Sequence, residues 1–148
     1  MLQNLSIEKI KIFENEFKQF MGIKDFPAYQ LTTKEVSLAI ADSCGFDSAA
    51  STFYSPKTNI HTLQISTNLI LSKYLVFHEF THILDADMYA NGDSTKYAGL
   101  SGYTEYHASQ IELMQLLGTK TATDKISFEM NTIISTISGY KRVAQYIR

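Results

Sequence analysis

Residues 73–90 read KYLVFHEFTHILDADMYA, and this stretch decides the fold. It contains neither glycine nor proline, and Ser72 before it is a typical N-cap residue, so a helix is predicted over residues 73–90. Its apolar side chains would lie on most sides of that helix: they are Val76, Phe77, Phe80, Ile83, Leu84 and Met88. A helix that is apolar on most sides is a buried one, so we expect it to be the central helix of the domain.

The same stretch contains His78-Glu79-Phe80-Thr81-His82, an uninterrupted HExxH pattern. Residues four apart lie on one face of a helix, so His78 and His82 are predicted to project side by side. Two imidazoles placed in this way bind one Zn²⁺, and Glu79 is positioned to reach the water on that metal without displacing a ligand. Buried imidazoles and carboxylates are costly unless they are paired or bind a metal. The pattern therefore predicts a zinc centre with Glu79 as the catalytic base.

A catalytic zinc needs a third protein ligand and keeps one position open. Cys44 is the single cysteine of the chain and has no second thiol to join it. The preferred candidate is Glu105, which follows His82 at a distance that lets the helix end and the chain return. His107 is the competing candidate, and an aspartate remains a further possibility: Asp85, Asp87 or Asp93.

Other parts of the chain predict a mixed architecture. Apolar residues at helical spacing predict a helix over residues 6–21, and alternation predicts a strand over 36–40 and a hairpin over 51–66. A polar loop containing two glycines is followed by a predicted helix from Thr104 to Leu117, with Glu105 in its first turn, where the helix dipole favours a carboxylate. A last helix is expected from near Asp124.

The order of these elements predicts an α+β fold in which a short antiparallel sheet packs on the central HExxH helix. The length of 148 residues favours a single domain over residues 1–148. A net charge of −2 with no long basic cluster argues against a nucleic-acid or membrane partner. One cysteine, no signal-peptide pattern and no long apolar run together favour a cytoplasmic location.

Several other polar residues have less specific roles at this stage. His61 lies in the predicted hairpin, where a lone histidine is more often structural than functional. Asp85 and Asp87 could accept the outer N–H of a ligand imidazole. One of the tyrosines near the third-ligand region could donate to the oxyanion of a peptidase reaction: Tyr97, Tyr103 or Tyr106.

These motifs resemble those of the gluzincin metallopeptidases, and most of all the small ImmA/IrrE-type proteins of phages and mobile elements. The matching positions, over residues 58–118, are His78-Glu79-x-x-His82, Glu105-x-x-Ala108 and Leu116-Leu117. The chain departs from the family pattern at Thr81, Ser109 and Gly118. The resemblance implies a minimal zincin-like fold in which His78, His82 and Glu105 bind zinc and Glu79 is the base.

The resulting hypothesis is a zinc-dependent peptidase that acts on a protein or peptide, and the resemblance implies an intracellular regulator as substrate. If the outer edge of the hairpin is free, it could bind an extended substrate by strand addition. The alternative is a catalytically inactive, metallopeptidase-like interaction protein.

Overall fold

The computed structural model describes residues 2–35 and 49–124, and in these residues it forms three α-helices, a π-helical turn and three strands. In chain order they are α1 (Leu2–Met21), β1 (Tyr29–Lys34), β2 (Ala50–Ser55), β3 (Ile60–Ser66), α2 (Lys73–Asp85), the π-helical turn (Ala86–Ala90) and α3 (Ser94–Leu116). The mixed α+β composition is as predicted. The predicted strand over 36–40 and the predicted helix from near Asp124 lie outside the described residues, apart from Asp124 itself.

Helix α1 confirms the helix predicted over residues 6–21, and it begins earlier, at Leu2. Its buried face places Phe17 against α2: the Phe17 ring lies 5.2 Å from that of Phe77 and 5.4 Å from that of Phe80. Gly22, at φ +72°, adopts the left-handed conformation that ends the helix. The aromatic contacts hold α1 on one side of the HExxH helix.

The sheet has the order β1-β3-β2. β2 and β3 form the predicted hairpin, with Thr52 opposite Leu63 and Tyr54 opposite His61. β1 runs parallel to β3, so the prediction of an antiparallel sheet is wrong for this pair and the sheet is mixed. β1 was not predicted, because its sequence, YQLTTK, has only two apolar residues, Tyr29 and Leu31, and its alternation is short.

Helix α2 confirms the predicted central helix. Its side chains Val76, Phe77 and Phe80 are fully buried, and it packs against α1, β2 and α3. The predicted helix continues to Ala90, but its last turn is π-helical rather than α-helical. Asn91 then reverses the chain with a left-handed conformation at φ 44°.

Helix α3 begins ten residues before the predicted start at Thr104, so that boundary is wrong. Asp93 caps it by accepting hydrogen bonds from the backbone N–H groups of Thr95 and Lys96. Gly99 and Gly102 each lower helix propensity by about 1 kcal/mol, which is why this segment reads as a loop, but the cap and the packing of α3 on α2 outweigh that cost. Glu105 therefore lies in the middle of a helix, and its predicted support by the helix dipole is incorrect.

None of the helices in the described ranges combines the length and the apolar character that a membrane span requires.

Candidate metal centre

The structure brings the three predicted ligands together where α2 and α3 cross. His78, His82 and Glu105 each offer one ligand atom, and these atoms all lie within 4.8 Å of one another. His82 Nε2 lies 3.0 Å from Glu105 Oε1, and His78 Nε2 lies 3.7 Å from Glu105 Oε2. The two histidines come from successive turns of α2, and the glutamate comes from the facing helix. This cluster can hold a metal ion.

The ring of His78 is oriented by a carboxylate behind it. His78 Nδ1 lies 3.1 Å from Glu112 Oε2, and an ionised carboxylate only accepts hydrogen bonds. Nδ1 therefore carries a proton, and Nε2 is the nitrogen that faces Glu105. A metal-binding histidine is held in this way in most metalloproteins.

The ring of His82 is oriented by a hydroxyl and a buried carboxylate. Thr104 Oγ1 donates its single hydrogen to Asp85 Oδ2 at 2.9 Å, so it must act as the acceptor toward His82 Nδ1, also at 2.9 Å. His82 consequently has a proton on Nδ1, and its Nε2, 3.0 Å from Glu105 Oε1, is the nitrogen that faces the other ligand atoms. Asp85, which is 1% exposed, also accepts a hydrogen bond from His107 Nδ1 at 2.9 Å.

The competing ligands have other positions. His107 is hydrogen-bonded to Asp85, and its ring stacks on that of Tyr103 with 5.6 Å between the centroids. Asp87 lies 4.0 Å from His61, and Asp93 caps α3. Asp85 supports a ligand imidazole as expected, but through Thr104 rather than directly. The structure therefore places Glu105, and not these residues, at the cluster.

Glu79 lies beside the cluster and is half-buried. Its Oε2 accepts a hydrogen bond of 2.8 Å from Thr52 Oγ1 on β2. Burial raises the pKa of Glu79, and the negative charges of Glu105 and Glu112 raise it further, against the opposing effects of Thr52 and His78. A carboxylate with a raised pKa is a stronger base, and this one is fixed in position by the sheet.

The two histidines differ in their electrostatics. Burial alone lowers the pKa of His78, but its hydrogen bond to Glu112 and the charges of Glu79, Glu112 and Glu105 outweigh burial, so the net shift is upward. Burial also lowers the pKa of His82, and the attraction of Glu105 does not overcome it. Three carboxylates around two imidazoles create a local field that favours a cation.

The cluster opens into a cleft of about 420 Å³ between β2, α2 and α3. One side is formed by four consecutive residues of β2, Ser51–Tyr54, and the floor by residues of α2. The other side is formed by residues of α3: Tyr97, Ala98, Leu100, Ser101, Thr104 and Glu105. Of the three tyrosines considered as donors, Tyr97 lines this cleft, Tyr103 stacks on His107, and Tyr106 is exposed.

Comparison with known proteins gave no significant match to any protein family, curated protein or solved structure.

Three contributors to the cluster were missed by sequence reasoning: Thr52, Glu112 and the hydroxyl of Thr104. Glu112 had a signal, because it lies two helical turns after Glu105 and hence on the same face. Thr104 is predicted from sequence only as the start of a helix, and its contact with His82 depends on how α3 packs on α2. Thr52 had no local signal, since its contact with Glu79 depends on how β2 packs on α2.

Proposed function

We propose that this protein is a zinc-dependent peptidase of the gluzincin type. The observation that carries the proposal is the convergence of His78 Nε2, His82 Nε2 and the Glu105 carboxylate within 4.8 Å, next to the half-buried carboxylate of Glu79. Two imidazoles and a carboxylate are the protein ligands of many catalytic zinc sites.

The donor set suits zinc for two further reasons. Both imidazoles have their Nδ1–H groups held by acceptors, Glu112 and Thr104, so each is fixed in the tautomer that binds a metal. Only three protein ligands converge among the described residues, which leaves a position for water or substrate. Zinc held there supplies a water whose pKa is lowered to about 7 and polarises the carbonyl that is attacked.

Glu79 is the general base in this proposal. Its carboxylate accepts a proton from the attacking water as the new C–O bond forms, and it passes that proton to the amine nitrogen as the C–N bond breaks. The hydrogen bond from Thr52 fixes one oxygen, Oε2, and leaves the other, Oε1, for the water. The raised pKa of Glu79 favours the first proton transfer, because it brings the pKa closer to that of the water it deprotonates.

The edge of β2 offers a binding place for the peptide backbone. Four consecutive residues, Ser51–Tyr54, line the cleft, so the strand runs along it. Within the described ranges β2 pairs with β3 alone, so no described strand covers its other edge, where an extended peptide would add. Backbone hydrogen bonds to such an edge bind peptides with little dependence on sequence.

The experiment is a comparison of wild type with Glu79→Gln, after zinc loading, on a mixture of peptides whose cleavage is followed by mass spectrometry. Hydrolysis should fall by about 10²–10⁴-fold because glutamine cannot accept the proton, while zinc content stays at the wild-type level. Glu8→Gln, an exposed glutamate of α1, is the matched control and should leave hydrolysis unchanged.

Two results would contradict the mechanism. Loss of zinc from Glu79→Gln would make Glu79 a ligand, and unchanged hydrolysis would assign the base to another residue. If zinc-loaded wild type cleaves no peptide at all, the interaction-protein alternative replaces the peptidase.

A further inference from the structure

The cleft extends past the metal cluster. Along α2 the lining continues from His82 to Ala86, the first residue of the π-helical turn. Along α3 it continues from Glu105 back to Ser101, and each displacement is about one helical turn. At that end it reaches His61 of β3. The cleft therefore has a compartment beside the reacting position that the proposed chemistry does not use.

The walls of this compartment are shaped to admit a flat side chain. Ala86, Ala98 and Ser101 leave space because their side chains are small. Tyr54 and Tyr97 flank the compartment, with ring centroids 4.9 Å apart and planes inclined at 63°. Aromatic rings arranged edge to face in this way pack favourably with a further ring.

His61 forms the polar end of the compartment. It is 3% exposed, its ring stacks on that of Tyr54 at 4.5 Å, and neither ring nitrogen has a hydrogen-bond partner in the described part of the chain. The carboxylate of Asp87 lies 4.0 Å from Nε2, beyond hydrogen-bond distance. A buried polar side chain without a partner is rare in native proteins, and a group that enters the compartment could supply the missing hydrogen bond.

The charge state of His61 limits what that ligand can be. Burial lowers its pKa, and the attraction of Asp87 only partly opposes this, so the ring is neutral near pH 7 and offers one donor and one acceptor. A negatively charged group at the end of the ligand is disfavoured, because the Asp87 carboxylate nearby would repel it. A hydroxyl, which both donates and accepts, matches a neutral imidazole.

We propose that this compartment receives a tyrosine side chain of the substrate and that His61 recognises its phenol hydroxyl. The proposal rests on the proposed function, whose substrate class it names. His61 is then a specificity-determining residue rather than a catalytic one.

The first arm of the test needs no catalysis. Binding of p-cresol, toluene and n-butylamine to the zinc-loaded full chain is measured from the histidine ring resonances by NMR. p-Cresol should bind about 3- to 10-fold more tightly than toluene, as one net hydrogen bond allows, and should shift the His61 resonances. His61→Leu should abolish this preference while still binding toluene, and His61→Gln, which keeps a donor and an acceptor, should restore part of it.

The second arm measures cleavage preference on the peptide mixture. His61→Leu, with its zinc content unchanged, should shift the preferred residue at one position beside the scissile bond from tyrosine to phenylalanine or leucine. Wild type could cleave no peptide and still bind p-cresol more tightly than toluene in a way that depends on His61. In that case the proposed hydrolysis is overturned and the tyrosine pocket stands. If peptides are cleaved, any one of three results overturns the tyrosine pocket and leaves the peptidase standing. These results are that wild type binds p-cresol no more tightly than toluene, that His61→Leu still binds p-cresol more tightly than toluene, or that n-butylamine binds most tightly of the three compounds.

Discussion

The link from His82 through Thr104 to Asp85 gives a sharp test of the metal centre. Thr104→Val removes one hydroxyl and nearly preserves the shape of the side chain. His82 Nδ1–H then loses the acceptor that lies 2.9 Å away, and Asp85 loses one of its two donors while keeping His107. None of the three proposed metal ligands is changed, so the substitution tests orientation alone.

Loss of such an outer hydrogen bond typically weakens metal binding by about 10–100-fold, which corresponds to about 1.4–2.7 kcal/mol. We expect the zinc affinity of Thr104→Val to fall by that amount, because the freed imidazole must be ordered again when it binds. Thr104→Ser keeps the hydroxyl, so its zinc affinity should lie within about threefold of that of wild type. This change is smaller than the loss expected for Thr104→Val.

The assay is competition with a chromogenic zinc chelator, with the thermal unfolding of the metal-free chains measured alongside. An equal affinity of wild type and Thr104→Val would refute the assigned tautomer of His82. A loss of affinity in Thr104→Ser equal to that in Thr104→Val would show that packing at this position matters and the hydroxyl does not.

Two further predictions concern the same centre. Glu105→Ala should lose zinc while His107→Ala keeps about one Zn²⁺ per chain, as measured by elemental analysis; the reverse pattern would make His107 the third ligand. Zinc affinity should weaken as pH falls, because a protonated imidazole cannot bind metal, and the raised pKa of His78 places the onset of this competition above the ordinary histidine value of about 6.5. An affinity that stays flat from pH 8 to about 5, measured by the same chelator competition, would show that the histidines are not ligands.

The parts of the site that could be predicted from sequence are those set by helical periodicity. His78 and His82 share a face because they are four residues apart, and α2 had to be helical because no glycine or proline interrupts it. Glu105 was a reasonable candidate because the chain has to return after α2. The predicted grouping of these three side chains follows from such local rules, although the dipole reason given for Glu105 was incorrect.

The remaining features depend on tertiary contacts. Gly99 and Gly102 indicate a loop locally, yet α3 is helical there because it packs along α2 from its cap at Asp93 onward. β1 is a six-residue strand with only two apolar residues, Tyr29 and Leu31, and its pairing with β3 places it in the sheet. Thr52 contacts Glu79 across 27 positions of sequence, so no local pattern could indicate it.

The negative charge gathered around His78 links metal binding to the stability of the fold. Glu79, Glu105 and Glu112 all raise the pKa of His78, and two of them come from α3 while His78 comes from α2. Like charges brought together oppose the packing of the two helices, and a cation among them offsets that repulsion. A ligand that binds only the folded chain adds about 2.7 kcal/mol of stability at 100 times its Kd. Because that gain would act on the α2–α3 contact, and because the cleft lies between these helices and β2, the metal ion of the proposed peptidase would also hold the walls of the cleft in place.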